Sequence, residues 1–167
     1  MRKPPFKIVA GGQTGVDRAA LDWAIAQGVR HGGWCPKGRR AEDGIIPRRY
    51  RLKETRSPAY IVRTRWNVRD SDGTLIISAS NRIVGGTKRT AEFAESLKKP
   101  LLHLTMTTGA RRAARQLDHF IARHRIHVLN IAGPRDSEEP GIQKFVQDIF
   151  TRSRLLARAR QRSVKRE

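Results

Sequence analysis

The stretch that most constrains this chain lies near its start. It reads Ile8-Val9-Ala10, then the loop Gly11-Gly12-Gln13-Thr14-Gly15-Val16-Asp17, then Arg18-Ala19-Ala20-Leu21-Asp22-Trp23-Ala24-Ile25-Ala26. A short apolar run stops at paired glycines, and a helical pattern starts within a few residues. Strand, glycine loop and helix in that order is how α/β proteins present backbone N–H groups to an anion. The first strand is expected over residues 7–10. The first helix is expected over about residues 17–27, with Ala20, Trp23, Ala24 and Gln27 on one stripe and Gly28 ending it. Thr14 and Asp17 stand at capping-box spacing, each placed to satisfy a free amide.

The same alternation recurs along the chain. Apolar runs at residues 74–78, 101–104 and 127–132 read as strands. Helical stripes follow over about residues 87–98 (Thr90, Phe93, Ala94, Leu97), 110–124 (Ala113, Leu117, Phe120, Ile121) and from near Pro140 (Ile142, Phe145, Val146, Ile149, Phe150). Four strands alternating with helices imply a mostly parallel sheet with helices on both faces, a three-layer α/β/α architecture. Residues 31–58 read as a loop, with short strands at Gly33-Trp34 and around residues 51–55, and a helical turn or two follows over residues 60–70. A loop of that length in a compact domain points to function.

The 167 residues suit one domain over residues 1–151, followed by a basic tail at 152–167 that reads as mobile. No 18-residue apolar run offers a membrane span, and Met1-Arg2-Lys3-Pro4-Pro5-Phe6 is not a signal peptide. A single cysteine, Cys35, excludes an internal disulfide and suits a reducing cytoplasm. The net charge is +20, with seven basic residues against one acid between Arg152 and Glu167. Such a field attracts phosphates, nucleic acid or acidic partners, and equally describes a solvated arginine-rich surface.

In a parallel sheet every loop that follows a strand lies on one edge, and ligands bind there where the strand order reverses. Three such loops, residues 11–17, 78–90 and 133–137, are rich in Gly, Ser, Thr and Arg. Together they make an anion pocket with Gly11, Gly12, Gln13, Thr14, Gly15, Ser78, Gly85, Gly86, Thr87, Gly133 and Arg135 as the candidate ligand-binding residues. The glycines let backbone approach closely. Gln13 and Thr14 donate to oxyanions, Gly85-Gly86-Thr87 opens a helix N-terminus, and Arg135 grips two oxygens or caps the last helix. Lys37 is a candidate phosphate cation or a solvated lysine. Asp43 reads as a turn residue before Gly44, with a ribose or magnesium contact as the other role. Arg63, Thr64 and Asn67 share a helical face and read as structural.

No catalytic constellation stands out. No Gly-Lys-Ser/Thr follows the glycines, so this is not a P-loop, and the spacing is not a dinucleotide fingerprint. His119, His124 and His127 are badly spaced for a metal, and Cys35 has no partner that would make it a nucleophile beyond His31.

Taken in order, several blocks resemble the family labelled putative molybdenum carrier proteins. They are residues 11–20, Gly33-Trp34-Cys35-Pro36-Lys37-Gly38-Arg39 with Glu42-Asp43-Gly44, Arg63-Thr64 with residues 67–74, Gly85-Gly86-Thr87, and residues 130–135 with Pro140-Gly141. The match spans about residues 7–150. Arg65 departs from it where an acidic residue is expected, and the tail lies outside it. The resemblance implies a Rossmann-like fold, in a wider group with lysine-decarboxylase-like nucleotide phosphoribohydrolases and the DNA-processing protein of natural transformation. It implies an anionic ligand (molybdenum cofactor, molybdate or a nucleotide) and self-association as a dimer or larger assembly. The alternatives are a nucleoside monophosphate hydrolase and a nucleic-acid binder acting through the basic surface and tail. In the hydrolase relatives a Gly-Gly-x-Gly-Thr-x-x-Glu motif acts. Here Lys88 and Arg89 stand at its fourth and fifth positions, so no catalytic role passes to Glu92.

Overall fold

The computed structural model describes residues 5–164, with side chains to residue 159. β1 (Lys7–Val9) leads through the glycine loop into α1 (Val16–Ala26), and β2 (Arg30–Gly32) follows. After a long excursion and α2 (Tyr60–Arg69) come β7 (Gly73–Ser78), α3 (Gly85–Ser96), β8 (Leu101–Thr105), α4 (Ala110–Arg123), β9 (Val128–Ala132), α5 (Ile142–Arg152) and α6 (Arg154–Val164). The excursion contains β3 (Trp34–Cys35), β4 (Arg40–Ala41), β5 (Gly44–Ile45) and β6 (Lys53–Glu54). Among the described residues no helix is long and apolar enough to cross a membrane.

Five strands form a parallel sheet in the order β2-β1-β9-β7-β8. All six residues of β7 are buried, as expected of a central strand covered on both faces. α1, α4 and α5 pack on one face and α2 with α3 on the other. The α5 stripe is buried along its whole length, and Phe150 meets Trp23 of α1 edge-to-face at 5.4 Å between ring centroids. The architecture is therefore the expected three-layer Rossmann-like α/β/α arrangement.

Counted from β7, with the chain imagined closed on itself, the strand order becomes 2-1-3-4-5, a standard doubly wound order. The order reverses between β7 and β9. Their register pairs Thr74 with Asn130, whose Nδ2 donates to Thr74 Oγ1 at 3.2 Å in the buried centre of the sheet. The crevice of such a fold opens above the carboxyl ends of these two strands.

Three local expectations are corrected. Residues 30–32 are a fifth strand rather than loop. Arg30-His31-Gly32 has no apolar run to announce it, because it is an edge strand whose partner in the sheet is β1. Residues 60–69 form a ten-residue helix, more than a turn or two. The segment after Arg152 does not fray: residues 154–164 are helical, and Leu156 is fully buried. Ser153 Oγ accepts from Leu156 N at 3.2 Å. Asp118 of α4 accepts from Ser153 Oγ at 2.5 Å, Arg154 N at 3.0 Å and Leu155 N at 3.2 Å, so a side-chain cap starts the helix. Residues 165–167 of the expected tail lie outside the described residues.

The excursion is ordered by one cation. Arg39, with φ of 52°, donates from its guanidinium to the carbonyls of Ile46, Pro47, Tyr50 and Leu52 at 2.9 to 3.2 Å. β3 and β6 pair in parallel, which matches the two short strands expected there.

Candidate functional site

The first loop is occupied with its own structure. Asp17 Oδ2 accepts from Gly11 N at 3.1 Å and Gln13 N at 3.2 Å, Thr14 N donates to Gln13 Oε1 at 3.0 Å, and Val16 N donates to Pro134 O at 3.3 Å. The capping box is not formed: Gly15 is the N-cap of α1 and no side chain caps it. The reason is competition. Asp17 turns back to the loop amides, while the Thr14 hydroxyl bonds the Glu42 carboxylate and accepts from Asp136 N at 3.2 Å.

Glu42 ties three segments together. Its carboxylate takes the hydroxyls of Thr14 and of Ser137 (2.5 Å), and its own N–H donates to Gln13 Oε1 at 2.9 Å. The Ser137 hydroxyl first, and that of Thr14 next, hold the Glu42 carboxyl below its ordinary value. Beside it Asp43 makes a two-point ion pair with Arg18, which lowers its pKa.

The glycines divide into two kinds. A Cβ on Gly15 would lie 2.5 Å from Pro134 O, one on Gly133 2.3 Å from Ile77 O, and one on Gly12 2.6 Å from Leu52 Cδ1. These three are required by packing of the protein on itself. A Cβ on Gly85 or Gly86 would meet nothing within 4 Å. Backbone is thus open to a ligand at the start of α3, where the first amides have no intrahelical acceptor and no side chain caps them.

Between these walls, above β7 and β9, lies a cavity of about 50 Å³. Gln13 and Asp17 line it from the first loop, Arg63 and Thr64 from α2, Gly86, Thr87 and Thr90 from α3, and Ala132, Gly133, Arg135 and Glu138 from the end of β9. Gln13 Oε1 is held by two backbone amides, which leaves its NH2 as the group a ligand can use. Arg63 Nη1 is 3.4 Å from Asp17 Oδ2, while Arg63 Nε is buried with no hydrogen-bond partner. Burial pushes the Asp17 carboxyl above its ordinary value, against the opposing pull of Arg63 and the loop amides. Arg135 faces Glu138, with Nε 4.0 Å from Oε1.

Of the residues expected from sequence, Gln13, Gly86, Thr87, Gly133 and Arg135 meet on this cavity. Gly11 lies directly behind it, against the Arg63 guanidinium. Gly12, Thr14 and Gly15 build the wall, and Gly85 stands one residue outside. Lys37 is exposed and not on the lining. Ser78 is buried, donates to Ser80 O at 2.7 Å and sits 2.6 Å from His103 Nε2. Glu92 also lies off the lining, bonded to Arg89 at 3.1 Å.

Sequence reasoning missed Arg63, Thr64, Thr90 and Glu138, and assigned Asp17 a capping role. The one available signal was the shared face of Arg63, Thr64 and Asn67. Asn67 is structural as expected, its side chain pairing with Trp34 N and O at 2.8 and 2.9 Å. Cys35 is buried and burial raises its pKa, which makes it a poor nucleophile. Among the described residues no group of three or more His, Cys, Asp or Glu could hold a metal ion.

Fold and cavity together define an open-sheet α/β protein of the doubly wound kind, with a small polar crevice at its topological switch point. The chain belongs to the circularly permutated YpsA SLOG family, whose model matches residues 8–154, and the strand order agrees with a permuted sheet. It is 46% identical to a putative molybdenum carrier protein from Syntrophus aciditrophicus SB, whose crystal structure superposes with a TM-score of 0.86 over 90% of this chain and 96% of that one. The signal recognition particle 54 kDa protein of Aeropyrum pernix K1 matches 92% of this chain and 28% of its own length at 14% identity and a TM-score of 0.39. No curated protein matches the chain.

Proposed function

We propose that this protein binds an anionic small molecule in the cavity between the ends of β7 and β9, and that it carries molybdenum as an oxyanion or in its phosphate-bearing cofactor. One observation carries the reading: a largely buried arginine, Arg63, lines this cavity beside an uncapped helix N-terminus, and its buried Nε–H has no partner. A buried donor left unmade costs about 1–3 kcal/mol, and a turn of the Arg63 guanidinium toward an oxyanion in the cavity gives it an acceptor. The α3 amides add a dipole of the same sense, and Arg135 adds a second guanidinium.

Size narrows the ligand. A cavity of about 50 Å³ is far below the roughly 300–1,000 Å³ that encloses a whole organic ligand. It suits a tetrahedral oxyanion such as molybdate, or the terminal phosphate of a pterin cofactor or a nucleotide. In the latter case the organic part extends past Gly85 and Gly86, where the backbone is open. The molybdenum assignment is supported by the 46% identical relative described as a molybdenum carrier; the anion assignment stands on the cavity.

Thermal unfolding in the presence of molybdate, phosphate and nucleoside monophosphates tests this. At a hundredfold excess over Kd a ligand adds about 2.7 kcal/mol, a shift readily seen in the unfolding midpoint, and Arg63→Gln should abolish it. Absence of stabilisation by every anion, or an unchanged shift in Arg63→Gln, would refute the reading.

A further inference from the structure

Away from this cavity, α4 and the edge strand β8 border a second, shallow and open concavity of about 550 Å³. Its floor is apolar, formed by Leu102 of β8 and the largely buried Phe120. Its rim is cationic: Arg112, Arg115 and Arg123 of α4 are exposed, and none has an ion-pair partner among the described residues. These residues recur at spacings of three and eight along the helix, so the row runs about 16 Å at 1.5 Å per residue. The imidazoles of His119 and His124 stand among them, the latter against the Phe120 ring at 5.1 Å between centroids.

We infer that this groove is a docking surface for single-stranded nucleic acid, held by its phosphates without sequence preference. Three arguments select that occupant. A second copy of this chain is disfavoured, since a protomer of net charge +20 would meet an arginine row with its own positive field. Arginine presents a fork of donors matched to phosphate oxygens, and all three rim cations that line the groove from α4 are arginines. A cationic groove with flat rings along it is the arrangement that tracks a single strand, where imidazole and guanidinium planes give bases a sequence-tolerant platform. The neighbouring α6 extends the field: it packs on α4 and places Arg154 and Arg158 at the surface. The groove is separate from the oxyanion cavity, with which it shares no lining residue.

The test is fluorescence anisotropy of a labelled 20-nucleotide oligothymidylate titrated with the full chain at several salt concentrations. The triple variant Arg112→Gln, Arg115→Gln, Arg123→Gln is compared with Arg30→Gln, Arg48→Gln, Arg51→Gln, three exposed arginines that do not line the groove. Circular dichroism verifies that both remain folded. Three phosphate contacts contribute about 2 to the slope of log affinity against log salt for a single strand. The α4 variant should therefore lose about that much slope and at least tenfold in affinity at low salt, with little change in the control. Equal losses in both variants would mean that the overall field, not the groove, binds the strand. Stronger binding of an oligoglutamate of the same length, lost in the α4 variant, would identify an acidic polypeptide as the occupant. Either result overturns the inference.

Discussion

The Arg63 guanidinium fills the space that a side chain at position 11 would need: a Cβ on Gly11 would stand 1.8 Å from Arg63 Nη1 and 2.5 Å from Arg63 Cζ. The obstructing atoms belong to the end of a flexible side chain, not to backbone. Gly11→Ala should therefore displace Arg63 and leave the fold in place. The expected outcome is loss of anion-induced thermal stabilisation with an unfolding midpoint in buffer close to that of the parent. An intact anion response in Gly11→Ala would show that Arg63 does not contact the ligand.

Gly15 and Gly133 should behave in the opposite way. Their missing Cβ atoms face backbone at 2.5 and 2.3 Å, and Gly15 also has φ of 78°. Alanine at position 15 forces the first loop from the β9 loop, alanine at position 133 forces the end of β9 from β7 and from Val16, and at Gly15 the sparsely populated positive-φ backbone adds about 1–3 kcal/mol. A destabilisation above about 2 kcal/mol in denaturant titrations is expected for each. Wild-type-like midpoints would contradict the close packing at Pro134 for Gly15 and at Ile77 for Gly133.

Asp17 separates hydrogen bonding from charge. Asp17→Ala strands the amides of Gly11 and Gln13, at a cost of about 1–3 kcal/mol. Asp17→Asn keeps an acceptor oxygen and should cost less. Because burial raises the Asp17 pKa in the folded state, its ionisation weakens the fold as pH rises from the unfolded value of 3.8 through the folded one. Asn at this position should remove that slope, which urea titrations across the acid range can read.

Glu42 has the opposite sign. Its folded pKa is depressed, so its contribution is present above the unfolded value of 4.5 and is lost as pH falls through the folded value. The carboxylate is exposed, so the contribution is screened to about 0.5 kcal/mol. The stability curves of Glu42→Gln and wild type should differ at neutral pH and converge in acid. Parallel curves throughout would exclude the Thr14–Glu42–Ser137 clasp as their cause.

At the other end, Asp118→Ala removes the acceptor for Ser153 Oγ and for two amides that open α6. A cost of about 1–2 kcal/mol, typical of a lost cap, should appear together with reduced helical ellipticity.

The chain by itself determined the elements that depend on near neighbours. The buried run of β7 and the apolar stripe of α5 specify strand and helix through spacings of two and three to four residues, and their alternation implies a parallel sheet with its loops on one edge. That much located the Gly86, Thr87, Gly133 and Arg135 side of the cavity. Tertiary structure alone decided the rest, because it depends on which distant segments fill the same space. Arg63 reaches Asp17 across 46 residues of sequence. Glu42 reaches Ser137 across 95. β2 carries no apolar pattern and exists because β1 offers it a backbone edge. The paired glycines show the division most clearly: Gly11-Gly12 and Gly85-Gly86 look alike in sequence, yet the first pair accommodates the protein's own side chains and the second faces open space. A glycine records only that a Cβ is absent, and what occupies the vacated volume is fixed by the order of strands in the sheet and the helices packed over it.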